Sequence, residues 1–133
     1  MSESVATFIE RFYGLSLVVV GLSHIFQPRL WADFFLLLKR TGTAAVIIPM
    51  FTFPVGLLIV LGHNVWVADV AVLVTIAGWG MMFKSVTYAL IPGHADRMVP
   101  DGPRANRMYV YGGIAAVVLG AVILYQGFGF GPT

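Results

Sequence analysis

The feature that most constrains this chain is a set of four apolar stretches, at about residues 7–26, 43–61, 65–91 and 108–128 of 133. A helix rises about 1.5 Å per residue, so roughly 20 apolar residues carry it across the ~30 Å hydrocarbon core of a bilayer. In lipid every backbone N–H and C=O must be satisfied within the protein, which leaves helices or closed barrels. The four runs lack the alternation of barrel strands. The expected fold class is therefore an all-α integral membrane protein, a single four-helix transmembrane domain over residues 1–133. Composition agrees: 59% of the residues are hydrophobic and 11% charged, against about 25% charged in a soluble domain. A domain this small cannot hide so much apolar side chain from water.

Charge and cysteine content exclude several classes of function. The formal net charge is +2 and the chain has no cysteine. No basic stripe interleaved with aromatics points to nucleic acid, and dithiol chemistry, thiolate metal sites and disulfides are excluded. The opening MSESVATFIER has acidic residues where a secretory signal has basic ones, so no cleaved leader is expected.

Basic residues set the expected orientation, because cytoplasmic loops collect Lys and Arg. Arg29, Lys39 and Arg40 follow the first span, and Arg97, Arg104 and Arg107 follow the third. The Gly62-His63-Asn64 turn and the tail after Tyr125 carry none, and only Arg11 lies near that face. Both termini are expected outside and both long loops in the cytoplasm. The segment PRLWADFFLLLKR, begun by Pro28, is too apolar for a solvated loop and too short to span. It is expected as an interfacial helix with Trp31, Phe34 and Phe35 at the headgroups. PGHADRMVPDGPRANR reads as a wet loop, with no linker or second domain.

Shifting the sequence by 64 residues lays Gly14 on Gly78, Pro28 on Pro92 and Gly56 on Gly120. That is either a weak internal repeat of two like-oriented hairpins or a coincidence in a glycine-rich chain. Small residues let helices approach in lipid. Gly14 and Gly21 form such a face on the first span. Gly112, Ala116 and Gly120 at spacing four, or Gly113, Gly120 and Gly127 at spacing seven, form one on the last. Ala77, Gly80 and Lys84 fall near one face of the third. Pro49 and Pro54 are expected to kink the second span, with Thr52 available to a freed carbonyl.

Polar residues inside spans are the candidates for chemistry, since hydrocarbon penalises them. Glu10, Gly14, Leu17, Gly21 and His24 share one face of the first helix, with Glu10 and His24 at opposite ends. Either this pair handles protons at a quinone head group, or Glu10 caps the outer end beside Arg11 while His24 bonds at the inner interface. Lys84 either snorkels to the headgroups or, with Ser85, Thr87 and Tyr88, lines a pocket for an anionic or quinone head group. The candidate ligand contacts are thus His24, Lys84 and Tyr88, for a quinone or lipid. Haem lacks a second axial ligand at the depth of His24, since His63 is assigned to the outer turn and His94 to an inner loop. No His, Asp or Glu pair at helical spacing suggests a metal. Asp69 is expected one turn inside the outer end of the third helix, against its dipole. His94, Asp96 and Arg97 read either as an acid and base pair or as a solvated loop.

From Arg11 to about Tyr88, the segments RFYGLSLVVVGLSHIFQP, WADFFLLLKR and PVGLLIVLG followed by a tight turn resemble the DoxX-like group of small four-helix membrane proteins. Gly14, Gly21 and Gly56 match individually. The resemblance implies a bacterial inner-membrane protein, and some members of the group are small membrane subunits of quinone-linked oxidoreductases. It carries over no catalytic residue. Three readings follow. One is an accessory or anchoring subunit of a larger membrane complex, partnered by other subunits or by its own copies. Another is an oligomeric proton-coupled transporter, which resembles the small multidrug resistance proteins in size and in its first-helix acid. The third is an enzyme acting on a lipid or quinone through His24, Lys84 or His94.

Overall fold

The computed structural model describes residues 2–129. It contains six helices: α1 (Ser2–Phe26), α2 (Pro28–Thr41), α3 (Ala44–Gly62), α4 (Ala71–Leu90), α5 (His94–Met98) and α6 (Ala105–Gly127). Stretches of α1, α3, α4 and α6, 19 to 23 residues long, are long and apolar enough to cross a membrane, and the protein is an all-α, multi-pass membrane protein. Its exterior says the same. Phe26, Leu61, Phe83 and Leu90 are each more than 70% exposed, an apolar surface far beyond what a soluble monomer presents to water.

The spans form two tight pairs, α1 against α6 and α3 against α4. A methyl group at Gly14 would meet Leu124 and the Gly120 carbonyl, and one at Gly120 would lie 2.8 Å from the Gly14 carbonyl. Gly21 and Gly113 oppose each other in the same way one heptad along, and Gly56 opposes Gly78 across the other pair. These are backbone-to-backbone contacts that no side chain fits, the usual means of helix association in lipid. On α6 the working face is the spacing of seven, with Gly113, Gly120 and Gly127 buried. Of the Gly112–Ala116–Gly120 face, Gly120 packs inward, whereas a methyl at Gly112 would meet nothing of this chain within 4 Å, because a step of four drifts around the helix while a step of seven returns closer to one side.

The 64-residue shift has a three-dimensional counterpart. It carries α1, α2 and α3 onto the regions of α4, α5 and α6, and the Gly14–Gly120 pair onto Gly78–Gly56. The principal contacts exchange as well: α1–α6 with α4–α3, α2–α6 with α5–α3, and α1–α3 with α4–α6. That is the pattern of an approximate twofold relating residues of the first half to those of the second. Each half spans twice, so the axis runs along the bundle. Each tight pair takes one helix from each half.

α2 begins at Pro28 as expected, and Gly42 ends it in the left-handed region at φ 71°, where its N–H bonds back to Leu38 and Lys39. Three expectations need correction. α4 begins at Ala71 and not near residue 65, because side chains hold residues 64–69 in a turn. Thr75 Oγ1 takes the Val65 N–H at 2.9 Å, Asn64 Oδ1 takes the indole N–H of Trp66 and of Trp79, and Asp69, which precedes the helix, accepts the Ala71 N–H at 2.7 Å. The loop after α4 is not simply wet, since it contains α5 and buries Ala95 and Val99 against Leu38, Ala44, Ile48 and Tyr88. Thr52 does not serve the Met50 carbonyl that Pro54 frees. Its hydroxyl bonds Ile48 O at 2.9 Å and meets Ser85 Oγ at 2.6 Å, which ties α3 to α4.

Gly113→Leu and Gly112→Leu test the packing face one residue apart. The first is expected to lower the unfolding free energy in detergent by about 1–3 kcal/mol through overpacking, and the second to leave it within about 0.5 kcal/mol. Equal losses in a reversible denaturation series would show that the α1–α6 interface has been assigned to the wrong side of α6.

Candidate functional site

At the end of the bundle that carries α2 and α5, hereafter the loop end, a cavity of about 230 Å³ opens between the halves. Its polar lining is His24 from the last turn of α1, Lys84 and Tyr88 from α4, and Tyr109 from the first turns of α6. His24 and Tyr88 are 64 residues apart, as are Phe35 and Val99, and all four line the cavity. It therefore sits where equivalent positions of the two halves face each other, as binding sites in repeat-built membrane proteins often do.

Aromatic contacts fix the walls. The His24 ring stacks on Trp31 with centroids 4.1 Å apart, and Phe35 stacks on Tyr109 at 5.7 Å with planes 2° from parallel. The Trp31 indole N–H donates to Ser23 Oγ at 2.8 Å, which pins α2 to α1. His24 Nδ1 lies 2.8 Å from Val20 O. A carbonyl only accepts, so Nδ1 is the donor. The Lys84 ammonium lies 5.4 Å from the centroid of the Tyr88 ring, within cation–π range. No carboxylate among the described residues comes within ion-pair distance of it. Asp101, next to the cavity wall, is taken by Lys39 at 3.0 Å.

The sequence grouped Lys84 and Tyr88 with Ser85 and Thr87 as one pocket reading and His24 with Glu10 as another, and the structure brings His24, Lys84 and Tyr88 to one cavity that Ser85 and Thr87 do not line. Sequence reading missed Tyr109 and Phe35, which become neighbours only through the contact of α2 with α6. His94 packs edge-on against Tyr88 with centroids 5.4 Å apart, and no hydrogen bond or ion pair joins it to Asp96 or Arg97 among the described residues.

At the opposite end, hereafter the terminal end, Glu10 neither pairs with Arg11 nor meets His24, which lies about 21 Å further along α1. Arg11 Nε donates to Gly127 O at 2.9 Å and its guanidinium covers the Phe128 ring at 4.6 Å, closing the end of α6. Glu10 Oε2 instead meets His63 Nε2 at 2.7 Å, and the His63 side chain is fully buried. His63 Nδ1 lies 3.0 Å from Thr75 Oγ1, whose own proton goes to His63 O at 2.7 Å. With that proton committed, the hydroxyl accepts from Nδ1. The cluster ties α1 to the α3–α4 pair. His63 was missed because a histidine in a turn reads as solvated. The signal was that the turn and Glu10 share one bilayer depth.

No known family model, curated protein or solved structure matches this chain. Among the described residues no group of three or more His, Asp or Glu is placed to hold a metal ion.

Glu10→Ala and His63→Ala are each expected to destabilise the protein by about 1–3 kcal/mol, since each leaves a buried polar partner behind. The double variant should cost less than the sum by about 0.5–2 kcal/mol. Strict additivity in the double-mutant cycle would remove the tie between α1 and α3–α4.

Proposed function

We propose that this protein is an accessory or anchoring subunit of a larger membrane complex, with a second polypeptide seated on the outward face of α6. The observation that carries the reading is the open glycine of that face. In this chain Gly14, Gly21, Gly56, Gly78, Gly113 and Gly120 each meet a neighbouring helix, whereas Gly112 meets nothing within 4 Å. Ala115 beside it is exposed and Ala116 half-buried. A glycine in a helix costs about 1 kcal/mol relative to alanine, and in lipid its ordinary return is the close approach of another backbone. Gly80 on α4 is open in the same way.

The narrower parts of the proposal are a bacterial inner-membrane location, membership of the DoxX-like group and a quinone-linked redox partner, all supported by the resemblance set out above. Both termini outside and α2 and α5 at the cytoplasmic surface is supported by the arginines and lysines at the loop end. The proton-coupled transporter gains no support from Glu10, which the His63 contact holds at the terminal end of the bundle.

Mild extraction from the native membrane should yield a species containing a second polypeptide, and Gly112→Leu should release that polypeptide while leaving the chain's own thermal unfolding unchanged. A monodisperse single polypeptide would end the reading. Orientation is checked on the cysteine-free background: an impermeant maleimide should label Val67→Cys in intact cells and Asn106→Cys only after permeabilisation. The reverse pattern would invert the topology.

A further inference from the structure

We infer that the loop-end cavity and the groove beside it form one binding site for an anionic amphiphile, the head group held at Lys84 and the acyl chain passing between α1 and α3 into the bilayer. The groove, of about 430 Å³, is lined by Val20, Trp31, Phe34, Leu38 and Phe51 among others and is almost wholly apolar. Phe35 and Ile48 line both recesses, so a polar chamber and an apolar channel adjoin at these two side chains. Together the two volumes are in the range of small-molecule sites, about 300–1,000 Å³, which combine apolar walls with a few placed polar groups.

Charge selects the head group. Lys84 is the cation at the chamber, no acidic side chain lines either recess, and Asp101, which follows the lining residue Pro100, is bonded to Lys39. A lysine free only to snorkel needs water or headgroups at its tip, but here the ammonium turns to the Tyr88 face, at the chamber the halves share. An anion there gains the ammonium, with the hydroxyls of Tyr88 and Tyr109 as further donors. The groove selects the tail. Its walls come from α1, α2 and α3, and α2 contributes Trp31 and Phe34, so a chain would enter sideways from the lipid beneath the interfacial helix. Either a free fatty acid or an anionic phospholipid supplies this chemistry. The site stands on these residues alone and does not depend on a partner at α6.

Trp31 is the reporter, because it lines the groove and stacks on His24. In the full chain with Trp66 and Trp79 replaced by Phe, and shown by circular dichroism to stay helical and monodisperse, Trp31 fluorescence is titrated in detergent with three brominated probes. These are dibrominated stearate, phosphatidylglycerol with dibrominated chains and phosphatidylcholine with the same chains. Quenching by stearate or by phosphatidylglycerol at lower concentration than phosphatidylcholine is expected, and which of the two acts first identifies the source. Lys84→Gln should weaken the anionic probe about fivefold, the size of one cation's attraction for an anionic lipid, and Lys84→Arg should restore it. Native mass spectrometry of the unaltered chain should show the same preference as bound adducts. Equal quenching by all three probes, an unchanged midpoint in Lys84→Gln, or displacement by decylubiquinone but by neither anion would overturn the inference.

Discussion

Lipid gives these helices no hydrophobic reason to touch, so the bundle depends on how closely two backbones can approach where glycine leaves the surface bare. Three such approaches, Gly14 with Gly120, Gly21 with Gly113 and Gly56 with Gly78, define which helices are partners. The partnering has a topological consequence. Since α1 pairs with α6 and α3 with α4, each close interface joins the first half to the second. The contacts between the two pairs are sparser, and side-chain ties supplement them. Glu10 with His63 does so at the terminal end, and Thr41 to Thr43 and Lys39 to Asp101 link α2 to its neighbours at the loop end.

The two ends of the bundle are finished differently. At the terminal end the polar groups bond to one another: Glu10 to His63, His63 to Thr75, and Arg11 to the last turn of α6. Buried polar groups bonded in this way hold structure and leave little for a ligand. At the loop end Lys84 has, among the described residues, an aromatic face and no ion pair, beside a cavity. Unmet bonding capacity beside a cavity is a better guide to a site than polarity itself, because both ends are polar.

The fold was legible because it follows from length, hydropathy and a few punctuating residues. Pro28 opened α2, and lysine and arginine followed by Gly42 closed it. Errors fell where side chains override local pattern. Residues 65–70 are apolar enough to extend α4, yet Thr75, Asn64 and Asp69 hold them in a turn, and no periodicity reveals a hydroxyl ten residues away that takes a backbone N–H. Ala95 and Val99 looked like loop residues because their burial depends on Leu38 and Tyr88, which belong to other elements. For the candidate site, the individual polar residues were visible in the sequence as anomalies within spans. Their convergence was not, because it is set by the pairing of α1 with α6 and α3 with α4, and glycine spacing alone left two faces of α6 equally plausible. The 64-residue shift rested on three coincidences in the sequence, whereas in the structure it predicts which helices touch.

What differs between the halves then matters more than what they share. If the two halves were identical, the chamber between them would be lined by matched residues and would have no direction. Here His24 faces its counterpart Tyr88, but Lys84 corresponds to Val20, Tyr109 to Ala45 and Trp31 to Ala95. The second half places the cation and a hydroxyl at the chamber, and the first half places valine in the apolar groove. The interfacial helices differ too, 14 residues in α2 against 5 in α5. The longer one lines the groove with Trp31, Phe34, Phe35 and Leu38, and α5 is too short to build a second one on the other side. The differences place a polar recess and an apolar one side by side, with Phe35 and Ile48 in common. That polarity is what an amphiphile requires, and it comes from the positions where the repeat fails.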